Sequence, residues 1–267
     1  MFGDTRPIGI FDSGLGGLTV LKAAHYFLPK EDLIYFGDTA HVPYGSKSTE
    51  TVTAYSLEIA RFLVSKNIKM LIVACNTATA LALDSLRREI DVPVIGVIEP
   101  SAVMAARLTL GGKIGVIGTE ATVRSHSYRD SIKSFDRRIK VYELACPLLV
   151  PLVEEGMWHH EVTSIIAHEY FYPLRGKCID TLILGCTHYP VIKHIIQHAI
   201  GYDVRMIDTS QAIAEEALKC LIKNGLEKKR GKGSIKVYAS DDPARFGRLA
   251  ANIVGKPLGK VLLKKFR

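Results

Sequence analysis

Short, continuous runs of apolar residues recur from one end of the chain to the other, and they limit the folds open to it. They are rich in valine and isoleucine and do not alternate with polar residues, which is typical of parallel strands covered by helices on both faces. We predict strands over residues 8–11, 33–36, 70–74, 94–98, 114–117, 141–144, 181–184, 204–207 and 235–239.

Segments with helical spacing lie between these runs. Residues 52–63 place their apolar side chains on one face of a helix. Thr209 or Ser210 would cap the last predicted helix. Alternating strands and helices predict an α/β fold with mainly parallel sheets and right-handed crossovers. The other segments of helical length are residues 77–90, 120–135, 191–199 and 211–223.

The composition fits a globular protein that stays out of the membrane. The chain has 267 residues, of which 48% are hydrophobic, and no apolar run approaches the roughly 20 residues of a membrane-spanning helix. Residues 1–4 do not begin a signal peptide, so we expect a cytoplasmic protein. The net charge of +8 comes partly from residues 228–232 and 264–267. No nucleic-acid motif accompanies them, so we predict solvated segments and no nucleic-acid partner.

Two stretches of the chain resemble two later ones. Gly9 lies in the same apolar setting as Gly115, 106 positions later (115 − 9). Residues 70–77 (MLIVACNT) resemble residues 181–188 (TLILGCTH), where Cys75 and Cys186 lie 111 positions apart (186 − 75). The two similar offsets predict two related, pseudo-symmetric α/β lobes. The alternative is that any two buried strands look alike, but a cysteine following both strands argues against coincidence.

The repeated cysteines predict a site between the lobes. Ligands of open α/β sheets bind at the carboxyl ends of the strands, where Cys75 and Cys186 each follow a predicted strand. Each also precedes a predicted helix, whose N-terminus should lower the pKa of the thiol. Across a shared cleft, one thiol could remove a proton from a carbon atom while the other returns one from the opposite side. Cys146, Cys178 and Cys220 are interpreted as ordinary thiols, because the odd total of five cysteines and their spacing argue against disulfides or a zinc site.

Further polar residues follow other strands. Asp12 and Ser13 open a glycine-rich segment, residues 12–17, that lacks the dinucleotide-binding spacing. We interpret Asp12 as a polar group beside one thiol, with a helix cap as the alternative. A loop at residues 37–45 contains Tyr44, whose hydroxyl and neighbouring amides could hold a carboxylate. The alternative is a structural turn without a binding role. Thr119 should line the cleft, because Gly118 and Thr119 follow the strand of the second lobe that is equivalent to the strand before the Asp12 region.

The surroundings of two more residues allow more than one interpretation. Glu154 could be an ordinary exposed carboxylate. His188 could contact a substrate carboxylate, adjust the thiol of Cys186 or simply pack. His159, His160 and His168 lack metal-ligand spacing and are assigned to the surface, so we predict no metal site.

Taken together, these motifs resemble those of glutamate racemases, in the aspartate/glutamate racemase superfamily. The resemblance extends from about residue 8 to residue 217. One departure is His41, where this family more often carries arginine. The matching segments are residues 10–17 (IFDSGLGG), 35–39 (YFGDT), 42–45 (VPYG), 74–79 (ACNTAT), 118–119 (GT) and 184–190 (LGCTHYP).

The resemblance implies an isomerase that interconverts L- and D-glutamate without pyridoxal phosphate or any other cofactor. Cys75 would exchange the Cα proton on the D-glutamate side and Cys186 on the L-glutamate side, assisted by Asp12 and His188, with Glu154 linked to the site. The product would supply peptidoglycan synthesis, and we expect a bacterial homodimer. The implied substrate-binding residues are Asp12, Ser13, Pro43, Tyr44, Gly45, Asn76, Thr77, Thr119, Thr187 and His188.

The resemblance also implies how the lobes are built. The C-terminal segment returns to the first lobe, so we predict residues 1–97 plus 209–267 as the first lobe and residues 98–208 as the second. Some relatives carry an N-terminal extension tied to activation by a cell-wall precursor. Only nine residues precede Ile10 here, so we expect no such dependence.

Three alternatives are compared with this interpretation. An aspartate racemase would share both cysteines, but relatives of that type usually carry glutamate where His188 stands. A binding module would hold an acidic amino acid without exchanging its Cα hydrogen. A cysteine hydrolase would need an oriented Cys–His–Asn set, which the sequence does not reveal.

Overall fold

The computed structural model describes residues 3–266 of the chain. Its strands are β1 (Ile8–Asp12), β2 (Leu33–Gly37), β3 (Met70–Val73), β4 (Val94–Gly96), β5 (Lys113–Gly118), β6 (Lys140–Ala145), β7 (Thr181–Gly185), β8 (Arg205–Ile207), β9 (Ile235–Ala239) and β10 (Val261–Leu263). Its α-helices are α1 (Leu18–Phe27), α2 (Thr49–Val64), α3 (Asn76–Glu89), α4 (Ile98–Leu108), α5 (Glu120–Arg124), α6 (Ser127–Phe135), α7 (Leu149–Glu154), α8 (Glu161–Arg175), α9 (Lys193–Ile200), α10 (Thr209–Asn224) and α11 (Pro243–Val254). Two 3₁₀ turns cover Tyr44–Ser46 and Tyr189–Ile192.

The strands form two sheets, and every strand pair in them is parallel. The first sheet has the order β10-β9-β2-β1-β3-β4, and the second has the order β6-β5-β7-β8. The predicted α/β fold with two mainly parallel sheets is therefore confirmed. The predicted strands all correspond to β1 through β9. Strand β10 was not predicted, because it has only three residues at the edge of the sheet and none of them is fully buried.

The internal repeat is visible in the topology. The order β2-β1-β3-β4 in the first sheet matches β6-β5-β7-β8 in the second. A Cβ atom on Gly9 would lie 2.9 Å from a methyl group of Ile68, and one on Gly115 would lie 2.7 Å from a methyl group of Ile179. The two glycines of the repeat thus make room for equivalent isoleucines. This shared packing explains why the same short pattern occurs twice.

Helices join the two sheets through a common core. One hydrophobic cluster contains Ile10 and Ile72 from the first sheet and Val116 and Ile183 from the second. Helix α10 packs against α1 and α4 within this region. Strands β9 and β10 return to the first sheet after α10, as the predicted lobe arrangement requires. The exact lobe boundaries, 1–97 plus 209–267 and 98–208, stay a prediction.

Several helix predictions need correction. The helix predicted over 120–135 is interrupted at His126, whose φ of 54° lies in the left-handed region, so α5 and α6 are separate. The helix predicted from residue 191 begins with a 3₁₀ turn and becomes α-helical at Lys193. The N-cap of α10 is neither Thr209 nor Ser210 but Asp208, whose carboxylate accepts from the backbone N–H of Ser210 at 2.9 Å. No range was predicted for α1, which follows the glycine-rich segment 12–17, and helices α4, α7, α8 and α11 were not predicted.

Within residues 3–266, no helix combines the length and the apolar character needed to cross a bilayer.

Candidate active site

Cys75 lies between strand β3 and helix α3. It is the N-cap of α3, and its Sγ accepts from the backbone N–H of Ala78 at 3.5 Å. The thiol in turn donates to the hydroxyl of Ser13 at 3.7 Å. Ser13 follows β1, the neighbour of β3, so two strand ends converge on this thiol. The predicted place of Cys75 at the carboxyl edge of the first sheet is therefore what the structure shows.

Cys186 occupies the equivalent position after β7. It begins a row of three polar side chains, the Cys186–His188–Glu154 line. Its Sγ lies 3.5 Å from Nδ1 of His188, and Nε2 of His188 lies 2.5 Å from Oε1 of Glu154. The same Oε1 accepts from the backbone N–H of Leu15 in the first lobe at 3.0 Å. The sequence revealed no oriented Cys–His–Asn set, but the fold provides a Cys–His–Glu arrangement. A local motif search misses it because Glu154 is distant in sequence.

The two thiols share one cavity. Both side chains are buried, and both line a space of about 10 Å³ between the sheets. That volume is near the smallest that holds a single water molecule, so an amino acid enters only if the walls move apart. The complete lining is Ser13, Pro43, Tyr44, Gly45, Cys75, Asn76, Thr77, Thr119, Val150, Cys186, Thr187 and His188.

Nearly all the substrate-binding residues predicted from the sequence therefore meet at this cavity. Asp12 is the exception, because it is fully buried behind the lining rather than part of it. Its Oδ1 accepts from the hydroxyl of Thr187 at 3.0 Å, and its Oδ2 accepts from the backbone N–H groups of Gly14 and Gly17, both at 3.0 Å. Asp12 thus links the first lobe to the second beside the cavity.

Threonine and asparagine side chains join the lobes on the other side of the cavity. The hydroxyls of Thr77 and Thr119 lie 2.9 Å apart. Tyr128 donates its hydroxyl proton to Oδ1 of Asn76 at 2.6 Å. This contact fixes the amide so that Nδ2 is the remaining donor, and among the described residues this buried atom has no hydrogen-bond partner. The cavity wall therefore contains a donor suited to a ligand carboxylate.

The pKa of Cys75 corrects one expectation. The helix N-terminus was expected to lower it, but burial and then the charge of Asp12 raise the pKa of Cys75 to about 12, against the bonds from Ala78 and Ser13. Burial also raises the pKa of Asp12, although His188 and three hydrogen-bond donors oppose the shift. In this closed arrangement the thiol of Cys75 is protonated, because desolvation penalises its anion.

His188 and Glu154 stabilise each other as an ion pair. Burial alone would lower the pKa of His188, but its bonds to Cys186 and Glu154 raise that pKa well above the usual value. Burial would raise the pKa of Glu154, yet the bond from His188 and the N–H of Leu15 bring it below the usual value. His188 is therefore a cation next to the thiol of Cys186, which suits the stabilisation of a thiolate.

Two residues of the site were not predicted. Val150 of α7 lines the cavity, but an apolar residue in an apolar helix gives no functional signal in a sequence. Asp38 lies directly behind Tyr44 and accepts its hydroxyl proton at 2.6 Å. A signal for Asp38 was present, because it follows β2 just as Asp12 ends β1. Among residues 3–266, no group of three or more His, Cys, Asp or Glu side chains could hold a metal ion.

The fold and the site together define an α/β enzyme in which each of two related lobes brings a thiol to one shared cavity. The chain belongs to the Asp/Glu/Hydantoin racemase family, whose sequence profile matches residues 19–217. It is therefore an isomerase of the racemase type.

Individual relatives agree with this assignment. The chain is 50% identical over 258 residues to a glutamate racemase of Geobacter metallireducens, with 96% of this chain and 95% of that protein covered. Its structure matches that of glutamate racemase isoform RacE1 of Bacillus anthracis with a TM-score of 0.93, at 35% identity and with 98% and 97% of the two chains covered. It also matches a Francisella tularensis glutamate racemase in complex with D-glutamate, with a TM-score of 0.91, 36% identity and 98% of each chain covered.

Proposed function

We propose that this enzyme is a glutamate racemase that interconverts L- and D-glutamate by two-thiol proton transfer at Cα, without a cofactor. The observation that carries the proposal is the shared cavity of Cys75 and Cys186, with one thiol supplied by each lobe. Inversion of a stereocentre requires a base on one face of the carbon and an acid on the other. Two related half-sites meet that requirement, because the two substrates are mirror images.

The chemical step uses both sulfurs in turn. A thiolate on one side removes the Cα proton of glutamate, and the electron pair stays on the substrate as a carbanion next to its carboxylate. The opposite thiol then gives its proton to the other face of the same carbon and becomes a thiolate. We assign Cys75 to D-glutamate and Cys186 to L-glutamate. In the reverse direction the two thiols exchange roles.

The groups around each sulfur have distinct tasks in this proposal. Cys75 must lose its proton despite a pKa of about 12. The cationic ammonium group of a bound amino acid lowers the free-energy cost of forming this thiolate. Asp12 assists on this side through the hydrogen bond that it accepts from Thr187, which joins the two lobes beside the cavity. On the other side His188 acts on Cys186 directly, and Glu154 keeps His188 protonated and oriented.

Substrate carboxylates would be held by neutral donors. The free Nδ2 atom of Asn76 and the hydroxyls of Thr77 and Thr119 line the cavity, whereas the hydroxyl proton of Thr187 is committed to Asp12. Tyr44 contributes differently from the expectation, because its hydroxyl is committed to Asp38. The backbone amides of Tyr44 and Gly45 therefore remain the donors of that loop. Glutamate is favoured over aspartate because the relatives described above are glutamate racemases, one of them in complex with D-glutamate.

The Cys186–His188–Glu154 line also fits a cysteine hydrolase, in which histidine activates one thiol. That function leaves Cys75 without a task, although it occupies the same small cavity. The racemase proposal uses both thiols and agrees with the family of the chain.

Solvent exchange tests the proposed function. In deuterated water, the wild-type protein should replace the Cα hydrogen of glutamate by deuterium while it racemises the amino acid. Cys75→Ser and Cys186→Ser should each lower racemisation by about 10²- to 10⁴-fold, the usual contribution of one acid–base group. Cys178→Ser is the matched control, because Cys178 is exposed. Wild-type protein that leaves glutamate unexchanged, or that exchanges only aspartate, would contradict the proposal.

We further propose that the enzyme works in the bacterial cytoplasm as a homodimer and that its D-glutamate supplies peptidoglycan synthesis. The support is the resemblance to glutamate racemases across most of the chain. Analytical ultracentrifugation tests the dimer. Depletion of the enzyme in its host tests the cellular role. Growth should stop on depletion, and added D-glutamate should restore it.

A further inference from the structure

The loop that carries Tyr44 begins with a buried carboxylate. Asp38 follows β2 directly and is only 1% exposed. It accepts the hydroxyl proton of Tyr44 at 2.6 Å, and its carboxylate lies 2.9 Å from Nδ1 of His41. A buried carboxylate is costly unless hydrogen bonds or a counter-charge compensate it. Tyr44 and His41 provide this compensation, so Asp38 ties together two residues of its own loop.

His41 is held from the other side by an aromatic contact. Its ring stacks on Tyr55 of helix α2, with 4.1 Å between centroids and 21° between planes. The ring of Tyr55 also lies 5.9 Å from that of Tyr44. Helix α2 thus fixes the position from which His41 reaches Asp38. His41 stands where related chains more often carry arginine. In the structure, His41 pairs with Asp38.

The outer side of the loop is anchored to the C-terminal part of the chain. The hydroxyl of Thr39 donates to the backbone carbonyl of Asp241 at 2.6 Å and accepts from the N–H of the same residue at 2.8 Å. The N–H of Ala40 donates to the hydroxyl of Ser240 at 2.8 Å. These bonds hold residues 39–40 but do not reach Tyr44. The side-chain hydrogen bond that holds Tyr44 is instead the one to Asp38.

That inner end touches the second lobe. A Cβ atom on Gly45 would lie 2.5 Å from Cβ of Thr119, so the backbone of Gly45 packs directly on Thr119. Pro43, Tyr44 and Gly45 all line the cavity of the two thiols. The loop is therefore the part of the first lobe that closes this wall, and it meets the second lobe where Thr119 bonds to Thr77.

We propose that Asp38, with His41 as its partner, is a positioning residue that presents the Tyr44–Gly45 backbone to a carboxylate of the substrate. This inference rests on the proposed racemase function. Asp38 touches neither thiol, and it acts through Tyr44. Its loss should therefore weaken substrate binding more than proton transfer, because the loop moves while both sulfurs keep their places.

The test compares KM with kcat for glutamate in Tyr44→Phe and Asp38→Asn. Tyr44→Phe keeps the ring and removes only the hydroxyl that donates to Asp38. We expect KM to rise about tenfold in each variant while kcat changes less than about threefold, since one hydrogen bond to a charged group is lost. Tyr26→Phe and Asp203→Asn are matched controls, because both residues are exposed, and they should leave both constants unchanged.

His41 variants provide the second measurement. His41→Ala should raise KM in the same way. His41→Arg should instead keep KM near the wild-type value, because a guanidinium group also donates to a carboxylate. Thermal unfolding of each variant identifies global damage, and if Asp38→Asn fails to fold, the milder Tyr44→Phe decides the question.

The outcomes separate the two proposals. An active wild-type enzyme whose variants keep the wild-type KM, or lose kcat alone, would overturn the positioning role and leave the racemase function intact. A wild-type protein that does not exchange the Cα hydrogen of glutamate would overturn both. Raised KM values with preserved kcat and rescue by His41→Arg would support the positioning role.

Discussion

Nε2 of His188 lies 2.5 Å from Oε1 of Glu154, and this contact decides which ring nitrogen faces the thiol of Cys186. With Nε2 committed to the carboxylate, Nδ1 points at the sulfur, 3.5 Å away. Because the N–H of Leu15 donates to the same carboxylate, the first lobe helps to hold an imidazole of the second. The protonation of His188 is thus coupled to the contact between the lobes.

Replacement of Glu154 by glutamine tests this coupling. The pKa of His188 should fall, because the carboxylate that helps to raise it is gone. We expect kcat/KM to drop about 100-fold, the low end of the contribution of one acid–base group, because Glu154 acts through His188. The drop should be equal in both directions, because the two enantiomers have the same free energy. Steady-state rates and an NMR titration of His188 provide the measurement, with Glu155→Gln as the control because Glu155 is largely exposed. An unchanged titration of His188 would contradict the coupling.

Replacement of Asp12 by asparagine should make Cys75 more reactive while racemisation slows. After burial, the charge of Asp12 is the largest factor that raises the pKa of Cys75, so its removal should lower that pKa. Alkylation of Cys75 by iodoacetamide, followed by peptide mass spectrometry across a pH series, measures the change. The comparison protein is Asp203→Asn, which removes an exposed carboxylate. Slower or equal alkylation of Cys75 in Asp12→Asn would show that the charge of Asp12 does not reach this thiol.

The buried thiol also predicts a loss of stability in alkaline solution. The folded pKa of Cys75, about 12, lies above its ordinary value of 9.0. Such a group stabilises the fold fully below the lower value, and its contribution disappears as the pH rises towards the higher one. At pH 10.5 the loss is about 2 kcal/mol, at roughly 1.4 kcal/mol per pH unit. Urea unfolding of wild type and Cys75→Ala between pH 8 and 10.5 measures it, and parallel curves for the two proteins would refute this origin.

A buried ion pair far from the thiols should support stability rather than activity. Lys69 is 0% exposed, and its ammonium group lies 2.6 Å from the carboxylate of Glu31. It also donates to the carbonyls of Asp4 and Leu226, at 2.7 and 2.6 Å, which ties the segment before β1 to the chain after α10. Lys69→Met leaves the buried carboxylate of Glu31 without its counter-charge, and this should cost about 3–5 kcal/mol of the free energy of unfolding.

Urea denaturation measures this loss, and KM should not change. The exposed pair Arg61–Glu89 is the control, since Arg61→Ala should cost no more than about 1 kcal/mol. A cost for Lys69→Met no larger than that of the control would show that the buried pair contributes little.

Some elements of secondary structure can be predicted from the local sequence and others cannot. Strands β1 through β9 were predictable because buried parallel strands are apolar throughout, so the pattern depends little on distant parts of the chain. Breaks in helices were not predictable, since the left-handed turn at His126 has no marker such as glycine or proline. The cap of α10 was misplaced by one or two residues, because Asp208, Thr209 and Ser210 are all good capping residues and only the backbone path distinguishes them.

The functional site also combines features that the sequence predicts with features that only the tertiary structure reveals. Sequence alone determined the two lobes and the positions of Cys75 and Cys186 at strand ends, because those properties follow from local patterns that occur twice. Tertiary structure decided the partners: Glu154 behind His188, Asp38 behind Tyr44 and Asp12 against Thr187. It also decided the direction of the pKa shift of Cys75. Burial and distant charges depend on which segments meet in space, and the order of residues along the chain does not encode those distances directly.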